Sequence, residues 1–365
     1  MITANKGEWS ELYTFLKILS DRKIFESDEN LNKLESVFYP ILKVIRQESG
    51  REKLIYDLVK SLDSICVVNE EGTEMKIIPI NTISSKINGI FFKIKESQQT
   101  FAIQEAEELM KELECKTVKT DSAHKSDLNV IIHDIYTQSA QEVGFSVKSM
   151  VGGNATLLNA SFHTNFAYEI ENTNEFQVND VNAQYMTEEG KSKVKKLVSE
   201  LVSQGKTLKF IGTQSPIFNN NLIKVDTIFP QIIGEIVKAY YLSEGVHIPE
   251  LVNTIANSQL FEKTYNLKLE DLEFKVKNFL SDVALGMVPG KLWDGRSQVR
   301  GGYLIVREDG EVVSFFVHNM DKFKDYLYAN TFLDTPSTSR HQFGKIYSKD
   351  GKFYLNLNLQ IRYIQ

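Results

Sequence analysis

Apolar residues near the start of the chain fall on a single stripe. In Gly7-Glu8-Trp9-Ser10-Glu11-Leu12-Tyr13-Thr14-Phe15-Leu16-Lys17-Ile18-Leu19, Trp9, Leu12, Leu16 and Leu19 recur at helical spacing, which predicts an amphipathic helix with Trp9 in the core. A polar loop at Ser27–Asn30 leads to a strand-like apolar stretch, Val37–Ile45. Residues 50–62 and 101–114 read as helices, the second with Ala106, Leu109, Met110 and Leu113 on one side. The centre changes period. Asp127–His133 is a short β-branched run and Glu142–Ser149 alternates every second residue, which predicts neighbouring strands of one sheet, with a third at Asn165–Ile170. Residues 187–204 read as a charged helix, and Asp226–Gly286 is mostly helical in pattern. Asp309-Gly310 and Asp350-Gly351 mark two C-terminal hairpins.

This order predicts an α/β core, a central mixed sheet flanked by helices, with helical and C-terminal β-hairpin additions. The expected segments are 1–225, 226–288 and 289–365. Composition narrows the class. The 365 residues are 42% hydrophobic and 25% charged, which is ordinary for a folded protein and excludes a mostly disordered one. No run of eighteen apolar residues exists, so no membrane span is expected. Met1–Gly7 carries no apolar signal core, and the expected location is the cytoplasm. Cys66 and Cys115 stand far apart without His or Cys neighbours, which argues against a disulfide framework or a structural zinc site. The net charge of −6 hides an asymmetry. Residues 289–365 hold eleven Lys or Arg against eight Asp or Glu, a net of +3, leaving −9 for the rest. A basic end on an acidic body permits local phosphate contact without requiring it.

Several motifs fail on inspection. Gly286–Leu292 is one residue short of a phosphate loop and has Leu292 where Ser or Thr must meet magnesium. Thr213–Phe218 resembles a methyltransferase tetrapeptide, but no glycine-rich cofactor turn precedes it. The six histidines lack metal-ligand spacing, and Gly-x-Ser-x-Gly is absent. What remains is an acid at the start of one strand, Asp127, and a lysine on the next, Lys148. A carboxylate at a sheet end suits Mg²⁺, which takes hard oxygen ligands and keeps several waters. A lysine beside it suits an attacking water, while the metal stabilises charge on a phosphate. Glu11 on the first helix adds a further carboxylate. On spacing alone this pattern is weak.

The wording of the chain is more specific. Gly7–Tyr13, Gly144–Ser149, Thr156–Ser161 with Thr164-Asn165-Phe166, Thr335–His341 and Leu355–Arg362 occur in this order. Together they resemble the HpaII-type family of Type II restriction endonucleases, from about residue 5 to the C-terminus. The resemblance implies a PD-(D/E)xK nuclease core, Mg²⁺-dependent hydrolysis of phosphodiesters and recognition of a short DNA sequence. Asp127 then matches the core aspartate, Lys148 the core lysine, and Glu11 the helix glutamate of many such sites. One position departs. Ser146 stands two residues before Lys148, where the pattern has Asp or Glu. Glu142 shares that strand face, yet about 13 Å of strand rise separates it from Ser146 unless Gly144 bends the strand. The favoured alternative has Ser146 orienting a metal-bound water, with Asp127, the Val147 carbonyl and Glu11 holding one ion.

Two loops are candidates for base recognition, either one reading bases while the other holds phosphates. Arg296, Gln298 and Arg300 lie in a glycine-flanked segment, and Ser337, Thr338, Ser339, Arg340 and His341 in another. Arginine reads guanine through two hydrogen bonds in the major groove. Asn159 and Ser161 are candidates for backbone phosphates. The expected partners are double-stranded DNA, a DNA methyltransferase encoded nearby, and a second copy, since a short palindrome favours a two-fold dimer or two monomers acting in succession. The resemblance suggests CCGG as that palindrome. The rival reading is a non-catalytic DNA-binding protein that keeps the fold, and Ser146 is the feature in its favour. A weaker third is a nuclease without strict sequence preference.

Overall fold

The computed structural model describes residues 1–120, 126–134, 138–173, 175–186, 192–297, 301–316 and 319–364. Contacts divide the chain into two units. The first comprises residues 1–155 and 298–323 with the terminal residue, the second residues 156–297 and 324–364. Both boundaries expected from sequence, 225/226 and 288/289, fall inside the second unit.

The first unit is built on a nine-stranded mixed sheet. Its longest strand, Lys33–Arg46, pairs with Lys23–Ser27 through its first half and with Leu128–Asp134 and Leu54–Asp57 through its second. Register shifts at Phe25/Ser27 and Ile41/Lys43 bend these pairings. Pro40, which has no N–H to give, sits where the strand changes neighbours. The edge strand Lys23–Ser27 also joins Val312–Phe316, so six strands close into a barrel. Ser64–Val68 and Glu74–Pro79 extend the sheet beyond Leu54–Asp57. Leu54 and Tyr56 are buried strand residues, so the helix expected over 50–62 is not there. That run of apolar residues fits either period, and pairing to Val67 and Val68 decides it.

The first helix, Lys6–Asp21, starts at a capping box. Asn5 Oδ1 accepts from Glu8 N at 3.0 Å and Glu8 Oε2 from Asn5 N at 2.9 Å. Trp9, Leu12, Leu16 and Leu19 are fully buried, as the stripe predicts, and Trp9 Nε1 donates to the Phe101 carbonyl. Phe15 packs edge-on against Tyr56 at 5.0 Å. This helix and the barrel share one core with Tyr39, Val44, Phe145 and Phe316.

The Asp309-Gly310 hairpin forms, but not as an addition. Its strand Gly302–Val306 runs parallel to Ser139–Ser149, with Ser146 opposite Tyr303 and Lys148 opposite Ile305. Parallel neighbours need a long crossover, and here the crossover contains the residues of the second unit from 156 to 297. In that unit Asn165–Glu171 is a strand, but it lies between Thr207–Thr213 and Lys352–Asn358. It is therefore not the expected third strand beside the central pair. The second hairpin, Ile346–Lys349 with Lys352–Asn358, completes this four-stranded sheet. Helices follow from Pro216 to Ala284, around the buried Phe229–Tyr241 helix. The charged helix spans Lys193–Ser203.

Candidate active site

Asp127 directly precedes the strand Leu128–Asp134, which pairs with Ser139–Ser149 in unbroken register from Leu128 opposite Phe145 to Asp134 opposite Ser139. Its N–H donates to the Phe145 carbonyl at 2.9 Å, and its Oδ2 accepts from Val147 N at 2.7 Å. The side chain thus continues the ladder past the end of the strand. N–H and C=O of one strand residue leave on the same edge, so the Val147 carbonyl faces the edge on which Asp127 lies.

Lys148 and Glu11 complete the cluster. Lys148 is half-buried, with Nζ 5.8 Å from the Tyr303 ring centre. Ser10 Oγ donates to Ser149 Oγ at 2.9 Å and pins the first helix to the strand beside Lys148. Glu11 follows on that helix. Burial, then the charge of Asp127, pushes the Glu11 carboxyl up to about 7, against the pull of Lys119 and Lys148. Burial also raises Asp127, opposed by the Val147 hydrogen bond and by Lys148 and Lys119. Two half-buried carboxylates that resist joint ionisation favour a cation between them.

The donors are hard oxygens, which suit a divalent cation. No group of three or more His, Cys, Asp or Glu capable of holding a metal exists among the described residues. A closed protein cage is therefore not formed. Mg²⁺ is commonly held by one or two carboxylates plus waters and substrate phosphate oxygens, and Glu11, Asp127 and the Val147 carbonyl fit that pattern.

Ser146 is half-buried on the face of Lys148. Glu142 is exposed and lies opposite Ile131, four residues along the strand from Ser146, and no bulge at Gly144 brings it nearer. Gly144 is small for another reason. A Cβ there would stand 2.7 Å from Asn129 Oδ1 and 2.8 Å from Ser126, while Gly301 N donates to its carbonyl at 2.9 Å. Glu142→Gln is expected to cleave DNA within about twofold of wild type, because removing a solvated charge away from the reacting centre leaves the barrier unchanged. A Gln variant with intact fold and no cleavage would make Glu142 the displaced ligand.

Sequence reasoning missed Lys119. It belongs to no helix or strand, yet its Nζ pairs with Glu8 Oε1 at 3.0 Å and its charge acts on both Glu11 and Asp127. No local pattern marks such a residue.

The candidate DNA-contact residues lie in the second unit, apart from Gln298 and Arg300, which lie outside the described residues. Arg296 is exposed, on a loop fixed by Asn221, whose Oδ1 accepts from Trp293 N at 2.9 Å and whose Nδ2 donates to Lys291 O at 2.8 Å. Thr338–His341 is one short helix preceded by Ser337, with Ser337, Ser339 and Arg340 exposed. A buried amide network ties it to the Asn159–Ser161 segment. Asn165 Nδ2 donates to the His341 carbonyl, Asn358 Nδ2 donates to Asn165 Oδ1 at 2.6 Å, and the same Asn358 nitrogen donates to the Ser161 carbonyl at 2.8 Å. Thr338 and Ser339 line a cavity of about 530 Å³ with Tyr185, Lys193, Lys345 and Tyr347.

Among the described residues, no helix is long and apolar enough to cross a membrane. No solved structure matches the chain. A family model described as HpaII restriction endonuclease matches residues 5–363. The Type II restriction enzyme HpaII of Haemophilus parainfluenzae is 38% identical over 99% of both chains. The blocks that resembled this group in sequence are thus part of a similarity that runs from end to end, and the chain belongs to the HpaII restriction endonuclease family.

Proposed function

We propose that this protein is a PD-(D/E)xK nuclease that requires Mg²⁺ and cuts both strands of duplex DNA at a short palindrome, with CCGG as the sequence that the family resemblance suggests. The observation that carries the reading is the convergence of Glu11, Asp127 and Lys148 beside the Val147 carbonyl. Type II restriction endonucleases generally use divalent metal ions, and a bound ion supplies positive charge against the developing charge of the phosphate. Asp127 and Glu11 hold that ion. Lys148 directs the attacking water and, after giving its own proton to solvent, takes up the proton that the water loses. Ser146 takes the place of the usual second acid and orients a water through its hydroxyl. Arg296 and Arg340 serve base readout, with Asn159 and Ser161 on phosphates. The protein acts in the cytoplasm as the restriction half of a pair whose methyltransferase is encoded beside it, and it meets its palindrome as a dimer or by successive cuts.

Digestion of plasmid DNA with and without Mg²⁺ tests this. Discrete fragments that vanish with chelator are expected. A smear would point to an unspecific nuclease, and bound but uncut DNA to the non-catalytic reading favoured by Ser146.

The Glu11 carboxyl gives a pH test. Its value is about 7 in the folded chain against an ordinary 4.5, so the proton it keeps must leave before it binds an ion. Cleavage of the free enzyme should rise with pH through about 7. Stability of the metal-free protein should run the other way. A raised acid binds its proton more tightly when folded, so the stability it contributes is full below 4.5 and is lost as pH rises through about 7. Glu11→Gln should flatten that slope in thermal melts and clearly impair cleavage. A Gln variant with the wild-type melting slope would separate Glu11 from the stability effect, and one that cuts at the wild-type rate would separate it from cleavage.

A further inference from the structure

The residues 116–120 belong to no helix or strand, yet their backbone is closely held. Two buried, oppositely charged side chains do the holding. Glu48, 3% exposed, accepts from Lys116 N at 3.0 Å and Thr117 N at 3.1 Å. Arg46, also 3% exposed, pairs with Glu48 at 3.1 Å and donates to the carbonyls of Thr117, Val118 and Lys119. Together they take the place of a neighbouring strand. Arg46 also lies 5.2 Å from the Phe15 ring centre, on the helix that carries Glu11. Thr120 Oγ1 donates to the Asp127 carbonyl at 3.2 Å. A buried ion pair is weak evidence for stability. What this one does is fix the main chain from which Lys119 reaches the acidic cluster.

Lys119 itself is anchored at its main chain, while its side chain reaches solvent. Its side chain is 51% exposed and its amine pairs with Glu8. Glu8 already has a task without it, since Oε2 accepts Asn5 N at the helix cap. The site holds three carboxylates, Glu8, Glu11 and Asp127, where a phosphodiester has to approach; Lys119 acts on all three, and Lys148 on Glu11 and Asp127. An ammonium on a flexible stem with three donors suits a phosphate oxygen.

We propose that Lys119 is a phosphate-binding residue of the active site, exchanging Glu8 for a DNA phosphate oxygen when duplex binds. This rests on the nuclease reading of the Glu11–Asp127–Lys148 cluster. It requires only the exchange of one ion pair for another.

The test is duplex binding in chelator, followed by anisotropy across a salt series, with one duplex containing CCGG and one lacking it. Loss of a single phosphate contact flattens the plot of log affinity against log salt by about 0.9. Lys119→Met should show that change on both duplexes, with affinity reduced by the same factor on each. Glu8→Gln keeps an acceptor for Asn5 N and releases Lys119, so it should bind more tightly than wild type at low salt. Lys119→Met with the wild-type slope, or Glu8→Gln binding no more tightly, would overturn the assignment. Plasmid cleavage separates the two levels. Wild type that cuts, with Asp127→Asn inactive and an unchanged Lys119→Met slope, removes Lys119 alone. Wild type that neither binds nor cuts duplex removes the nuclease reading and Lys119 together.

Discussion

Asp127→Asn is expected to lose cleavage by roughly a thousandfold, about 4 kcal/mol in the barrier, while folding normally. The two effects separate because the carboxylate has two tasks. One oxygen accepts the Val147 N–H at 2.7 Å, a bond that an asparagine carbonyl oxygen can keep. The negative charge is the other task, and asparagine removes it. Without the charge, Glu11 loses the neighbour that helps to hold its carboxyl near 7, so its value should fall toward the ordinary carboxylate range. A metal would then meet one carboxylate in place of two. Plasmid cleavage gives the rate, and circular dichroism with a thermal melt gives the fold. An Asn variant that cuts within tenfold of wild type would take Asp127 out of the reaction.

Much of this site is legible in the sequence because its parts are local. The alternation through Glu142–Ser149 and the β-branched run after Asp127 specify strands by themselves, and residues that face each other on paired strands lie close together. The first helix is equally plain, with Trp9, Leu12, Leu16 and Leu19 fully buried. What the local pattern lacks is partnership. Asn165–Ile170 reads as a strand, but nothing within it says that its neighbours are Thr207–Thr213 and Lys352–Asn358. Gly302–Val306 reads as half of a hairpin, yet its second edge lies parallel to the strand of Lys148, across a crossover containing most of the second unit. Long-range pairing of this kind has no signature at either end. Lys119 shows the same limit at the scale of one residue. Its position is set by Arg46 and Glu48, side chains remote in sequence that bond its segment's backbone.

Lys148→Ala should abolish measurable cleavage and leave duplex binding within a few-fold of wild type. The lysine stands half-buried near the end of an apolar strand, and its charge acts on both Asp127 and Glu11. Its proposed task is performed on the attacking water in the transition state, so its removal should lower kcat and kcat/KM together and spare ground-state affinity. A purely structural role predicts otherwise. Lys148 pulls the Glu11 carboxyl down while Asp127 pushes it up, so Ala should shift the rising limb of any residual pH profile toward higher pH. Lys148→Arg sharpens the distinction. It keeps a cation beside both carboxylates, and with it that electrostatic pull, but a guanidinium does not give up its proton to act as a base. If the lysine only balanced charge, Arg would restore cleavage. If it must accept a proton from water, Arg should be nearly as inactive as Ala, and an Arg variant cutting at the wild-type rate would remove that role from Lys148.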